Sequence, residues 1–355
     1  MTNIEKLMRA VPDGSDCAFI VSDINRRYFT GMKSSAGILI CFREKAYLLI
    51  DFRYIEKARN TVKNCEVILL EDLYVQIKDI MKKHNAHIIS VESEEMTISR
   101  LNSFRKNLES YSFDTTDKLS SSIYSMRSVK SDDDIEKMKV AQKFTDDAFT
   151  HILDFIKAGR TEKEIALELD YFMLKSGAEA LSFDTIALAG KNTSMPHGVP
   201  SDYKVQQGDF VLMDFGAVYD GYHSDMTRTV CVGSPTDEME KVYNIVLSAQ
   251  KKGIETAKAG IKGVDLDKSA RDIIKNAGYG DAFGHSLGHG VGMEIHEFPN
   301  ASPKSNKILP ENSVVTVEPG IYIPDKFGVR IEDMVKIVAD GCMDFTHSPK
   351  NLICL

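Results

Sequence analysis

At 355 residues, 43% hydrophobic and 27% charged, the chain is long enough for two domains and has the composition of a soluble globular protein. A net charge of −8 without any basic block argues against a nucleic-acid surface, and no early basic-then-apolar segment indicates a signal peptide or membrane span. The six cysteines (Cys17, Cys41, Cys65, Cys231, Cys342, Cys354) lie far apart with no CxxC pair, which points to reduced thiols and a cytoplasmic protein.

Residues 1–122 read as an α/β domain. Short apolar runs of strand length occur at 17–22, 36–42, 46–50, 65–70 and 87–92, with helical patterns at 54–62 and 73–84 between them. No glycine-rich fingerprint follows any of these strands, so a nucleotide site is not expected. Asp51-Phe-Arg-Tyr54 reads as a structural helix start. The polar stretch 114–122 marks the boundary to a second domain, 123–355.

That second domain opens with Ser131-Asp-Asp-Asp134, which has the spacing of a capping box. Ile135, Met138, Ala141, Phe144, Ala148, Ile152 and Phe155 follow three or four apart, predicting one long amphipathic helix. Thr161-Glu-Lys-Glu164 starts another helix that stops at Gly177. Lys157-Ala-Gly159 with its helix and its stop recurs 101 residues later as Lys258-Ala-Gly260, a helix, and Gly278. Asp209–Gly216 is likewise echoed by Asn312–Gly320. The spacing predicts a duplication, each unit being two helices followed by a β-hairpin.

Each predicted hairpin carries two acids in otherwise apolar strands. A turn at Asp220-Gly221 sets Asp214 opposite Thr227 and Asp225 opposite Gly216, leaving the aspartates as diagonal neighbours roughly 7–8 Å apart. In the second hairpin Val314–Glu318 returns as Val329–Glu332, with Arg330 and Glu332 on one face. Gly284–Pro299 lies between the two hairpin strands of this unit and its helices. It packs His285, His289, His296 and four glycines into sixteen residues, in a chain with nine histidines. Glycine at this density disfavours helix and permits a tight backbone that brings imidazoles close to a compact partner. Four acids with a histidine between them can be neutralised by Arg228, Arg330 or Lys336, or by two divalent cations bridged about 3.5–4 Å apart. Such an oxygen-rich set suits Mn²⁺ and tolerates Co²⁺ or Zn²⁺.

In its order and local motifs (MDFGAVYDGYHSDMTRT, GHGVGMEIHE, VEPGIY, VRIED), the set Asp214, Asp225, His289, Glu318, Glu332 resembles the pita-bread metallopeptidases: methionine aminopeptidases, aminopeptidase P and prolidase. SDINRRYFTGMKSSAGILI and LLIDFRYIEKA resemble the creatinase/prolidase N-terminal domain. The resemblance implies an α+β chain: a C-terminal pita-bread fold of two helix-hairpin repeats around a curved antiparallel sheet, preceded by an α/β domain. It implies Asp214, Asp225, His289, Glu318 and Glu332 as ligands of two metals, with Glu318 also the general base. It implies His197 and His296 as catalytic histidines beside the leaving group and the substrate carbonyl. His285 and Arg330 are expected in the substrate pocket, with Tyr222 behind them. The implied activity is removal of the residue before proline from Xaa-Pro dipeptides or short peptides, by a homodimer that binds neither nucleic acid nor membrane. The competing readings are an aminopeptidase of other specificity and a metal-free module that binds peptides or proteins. The presence of all five ligand positions argues against the last.

Overall fold

The computed structural model describes residues 1–355 and divides the chain into two units, Met1–Arg127 and Ser128–Leu355. In the first, the predicted strands and helices form with shifts of one or two residues: β1 Cys17–Ile20, β2 Ile38–Phe42, β3 Ala46–Ile50, α3 Ile55–Thr61, β4 Glu66–Leu69, α4 Leu73–Lys83 and β5 Ile88–Val91. Helices α1 Asn3–Ala10, α2 Asp23–Thr30, α5 Ile98–Asn107 and α6 Lys118–Ser128, with strand β6 Ser112–Asp114, are additions to that reading. The sheet runs β4-β3-β2-β1-β5-β6, antiparallel only where β2 meets β1 and β3. Its central strands are buried along their whole length, and Ile77, Ile80 and Met81 of α4 with Phe104 of α5 close one face. Asp51 accepts from Arg53 in the turn ahead of α3, a structural role. The polar stretch 114–122 begins in β6 and runs into α6, so the chain divides at the end of that helix.

The second unit starts with α7 Asp132–Phe155, and here the capping box is in place: Ser131 accepts from the Asp134 amide while Asp134 accepts from Ser131. Three acids in its first turn face the positive helix end. Ile135, Met138, Ala141, Ala148, Phe149 and Ile152 form the buried stripe. A second capping box, Thr161 with Glu164, starts α8 Glu162–Lys175. Helices α9 Asp237–Thr256 and α10 Gly263–Asn276 repeat the pair. The duplication extends to backbone detail. Gly159 and Gly260 both take positive φ ahead of their helices, and Gly177 and Gly278 both take it behind them. The Gly159 amide donates to Val205 as the Gly260 amide does to Leu309, and the bridge Thr161–Lys204 is matched by Lys262–Ile308.

The strands repeat as well. After the short β7 Ala180–Leu181, β8 Ile186–Ala189 pairs with β9 Phe210–Phe215. The chain passes through β10 Ala217–Tyr219 and β11 Tyr222–His223, and β12 Met226–Cys231 pairs back onto β9. In the second copy β13 Gly288–Gly290 pairs with β14 Glu297–Ala301 and β15 Val314–Val317. The chain then passes through β16 Gly320–Ile323 and β17 Phe327–Arg330 before β18 Asp333–Val338 pairs with β15, with β19 Gly341–Asp344 at the edge. The orders β12-β9-β8 and β18-β15-β13 are therefore equivalent.

Two expectations need correcting. Val329–Arg330 does not return onto Val314–Val317; it pairs with Gly320–Ile321, and Asp333 is the residue opposite Val317. Each hairpin is broken midway. In the first the break leaves Asp225 outside the ladder rather than opposite Gly216, although Asp214 does face Thr227. Gly216 sits at this break, where a Cβ would lie 2.0 Å from the Ser224 carbonyl oxygen. No helix is long and apolar enough to cross a membrane.

Because Ser131 caps α7 in both directions, Ser131→Ala is expected to cost about 1 kcal/mol. A lowered urea midpoint with unchanged slope in the transition reporting the second unit would register it; an unmoved midpoint would contradict the cap.

Candidate metal centre

The breaks in the two hairpins are where the acids lie. Asp214 is next to last in β9, Asp225 precedes β12, Glu318 follows β15, and Glu332 precedes β18. The two return segments meet across the repeats. Glu332 donates its amide to the Thr227 carbonyl at 3.1 Å, and the Thr227 hydroxyl donates to Glu332 Oε2 at 2.6 Å. Arg228 fixes the same junction from behind. It donates to the carbonyls of Glu332, Ser348 and Pro349 and, at 2.7 Å, to the fully buried Asp333. Breaking such a buried pair costs about 3–5 kcal/mol, so this brace strongly constrains where Glu332 sits.

Strand β13 brings the imidazole. A Cβ at Gly288 would stand 2.0 Å from the Thr316 carbonyl oxygen, and one at Gly290 2.6 Å from that of Glu297. Only glycine lets the strand pass this closely, and His289 between them enters the cavity. His289 Nδ1 lies 3.1 Å from the Gly290 carbonyl oxygen, which can only accept, so Nδ1 carries the proton. The unprotonated Nε2 then faces Asp225 Oδ2 and Glu318 Oε1, each 3.5 Å away. Lone pairs facing two carboxylates repel unless a cation, or a proton on one of the acids, stands between them.

Other observations agree. Donor atoms of Asp225, His289 and Glu332 lie within 4.8 Å of one another. Asp214 Oδ1 is buried without a hydrogen-bond partner, while Oδ2 takes Arg330 Nη2 at 2.6 Å. Burial first, then neighbouring carboxylates, push Asp225 and Glu332 well above the usual carboxylate range. Burial lifts Glu318 to about 8 and lowers His289 to about 4. Four acids and a neutral imidazole with one guanidinium among them fit divalent cations, and the oxygen-rich donor set fits hard or borderline ions.

These groups line a cavity of about 570 Å³ together with His197, His285, His296 and Arg330. Phe183, Ile186, Pro196 and Ile295 add an apolar wall, and Asn300 and Ser302 a neutral polar one; sequence reasoning had singled out none of these. The polar atoms of two predicted pocket residues are engaged within the protein. Arg330 donates to Asp214, Thr227 and Tyr322, and the Tyr322 hydroxyl in turn donates to His285 Nε2 at 2.9 Å. His285 Nδ1 faces the Ser286 carbonyl oxygen, and burial lowers this ring to about 4. Tyr322 was missed, since in Gly320-Ile-Tyr-Ile323 it reads as one more strand aromatic. Tyr222 is not at the cavity: its hydroxyl donates to Asp134 at the start of α7. His197 and His296 face the cavity, His296 standing edge-on to His289 with ring centroids 4.2 Å apart.

Comparison with known proteins gives the same picture. The family model described as metallopeptidase family M24 matches residues 136–339, and that of the creatinase/prolidase N-terminal domain matches residues 2–129. The chain is 38% identical to an Xaa-Pro dipeptidase of Pyrococcus furiosus over 99% of both chains. Among solved structures, an Xaa-Pro dipeptidase from Bacillus anthracis superposes with TM-score 0.95 at 39% identity, covering 99% of each chain. An X-Pro aminopeptidase from Thermotoga maritima gives TM-score 0.91 at 38% identity, over 96% of this chain and 98% of that one.

Metal-stripped protein is expected to melt higher as Mn²⁺ is added, by about 2.7 kcal/mol of stability at a hundredfold excess over Kd. Asp225→Asn and Glu332→Gln should lose most of that gain. A melting curve indifferent to Mn²⁺, Co²⁺ and Zn²⁺ alike would sink the assignment.

Proposed function

The chain belongs to metallopeptidase family M24, and from that footing we propose that it hydrolyses the bond before proline, in Xaa-Pro dipeptides or at the N-terminus of short Xaa-Pro peptides. The observation that carries the reading is the unprotonated His289 Nε2 aimed at two buried carboxylates on the floor of a peptide-sized cavity. Asp214, Asp225, His289, Glu318 and Glu332 would hold two divalent cations, with Mn²⁺ the best match to four carboxylates and one imidazole. When bound, such a pair supplies Lewis acidity and brings the pKa of water toward neutrality.

The protein's own groups do the rest. Glu318, braced by the Thr316 hydroxyl at 3.2 Å, takes the proton of the attacking water and returns it to the departing nitrogen. That return matters before proline, where the tertiary amide has no N–H and its nitrogen must be protonated to leave. His197 and His296 both face the cavity, His197 beside the leaving group and His296 where it can donate to the carbonyl oxygen as negative charge develops on it. Arg330 holds Asp214 in place and, through Tyr322, orients His285, so this wall shapes the pocket and screens its charge. The six free cysteines accord with a reducing cytoplasm, and the family resemblance with a homodimer.

The second reading, an aminopeptidase that takes longer Xaa-Pro peptides, is favoured by the likeness to the Thermotoga structure. Hydrolysis of Met-Pro, Met-Ala and Met-Pro-Ala by chelated and then Mn²⁺-reconstituted protein separates the two. Metal-dependent cleavage of Met-Pro is expected; if Met-Pro-Ala is spared the enzyme is a dipeptidase, and its cleavage as well would favour the second reading. Cleavage of Met-Ala as fast as Met-Pro would remove the proline specificity.

A further inference from the structure

The His296 side chain has little support of its own: its ring is exposed and packs at a steep angle against the ring of His289. Its position is therefore set by the backbone of residues 291–297. Several contacts hold that backbone. The Val291 amide donates to the Val314 carbonyl, the His223 amide to the Gly292 carbonyl, the Gly292 amide to the Glu294 carbonyl and the Glu294 amide to Glu297 Oε2, while Glu297 pairs with Gly290 between β14 and β13.

One further contact is different in kind. The Glu297 side chain turns inward, with 4% of its surface exposed, and its carboxylate meets Lys130 Nζ, whose side chain is 1% exposed. Lys130 lies between α6 and α7 immediately ahead of the capping Ser131, and its amide donates to the Asn312 carbonyl. The carboxylate takes the space in which a Cβ at Gly292 would lie, 2.3 Å from Glu297 Oε1. A buried ammonium and carboxylate are each costly without the other, so the pair has one stable arrangement. Glu297 cannot shift along β14 without separating them, and His296 is its immediate neighbour.

We infer that Lys130 is a positioning residue that fixes His296 over the cavity through its buried pair with Glu297. The inference rests on the role proposed above for His296. A displacement of that imidazole by about 1 Å is enough for a loss of about a hundredfold in rate.

The test is a double-mutant cycle on the metal-loaded enzyme with Met-Pro, using Lys130→Met, His296→Asn and the two together, with bound metal measured by atomic emission. Lys130→Met should lower kcat about ten- to a hundredfold, lower kcat/KM alike, and leave metal content unchanged. The double variant should be no slower than His296→Asn, because Lys130 has nothing left to position. Glu297→Asp keeps the charge and shortens the reach, so it should fold even where Lys130→Met does not. It should show a smaller loss that likewise vanishes in the His296→Asn background. Losses that multiply in the double variants, or a kcat unmoved by Lys130→Met and Glu297→Asp, would overturn the inference. An unmoved kcat in His296→Asn alone would instead overturn the role of His296.

Discussion

Electrostatic repulsion within the cavity floor is the constraint that the surrounding structure answers. Asp214, Asp225, Glu318 and Glu332 converge with the unprotonated nitrogen of His289, and only one guanidinium reaches them. In bulk water such a cluster would disperse. Here the protein keeps it together by giving four of the five groups a second attachment outside the cluster: Thr227 on Glu332, Thr316 on Glu318, Arg330 on Asp214 and the Gly290 carbonyl on His289. These attachments leave at least one lone pair of each group pointing inward, as a site preorganised for cations requires.

Holding the cluster in shape needs rigid support, and the duplicated architecture supplies it. The broken hairpins place each pair of acids where the strand ladder is interrupted, so that their side chains turn inward while the flanking residues stay paired. The Arg228–Asp333 brace joins the two copies through a pair with almost no solvent contact. Asp333 also takes Lys350 and Gln250, so the final residues and α9 converge on the position directly after Glu332. On the other side, β13 is stripped of side chains at Gly288 and Gly290 so that the backbone of the histidine strand can lie against its neighbours.

Local signals were legible in the sequence. The Ser131 capping box, the helix start at Thr161, the helix-stopping glycines and the repeat of Lys-Ala-Gly could be read because each depends on residues a few positions apart. The five converging residues were legible through their motifs. The interruption of the second hairpin was not, because Val314–Val317, Gly320–Ile323 and Phe327–Arg330 are all apolar on alternate residues, and periodicity does not say which strand meets which. Arg330 was placed on one strand face with Glu332, two residues away, yet its carboxylate partner is Asp214 from the other repeat. The resemblance placed Tyr222 behind the pocket, but the turn carries it toward α7. Lys130 and Glu297 are far apart in sequence, and neither stands out until the fold brings them together.

The equivalence of the two repeats bears on how such a centre could have arisen. Each copy contributes one pair of acids at the break of its own hairpin, and the contact between Thr227 and Glu332 exists only because the copies face one another. An ancestral polypeptide of one repeat would have held half of the acids and no enclosing wall. It would have completed the pocket by pairing with a second molecule, on an axis relating the two. Fusion into one chain would have freed the halves to diverge: one copy now carries the plain strand Ile186–Ala189, its counterpart the glycine-flanked strand that presents His289.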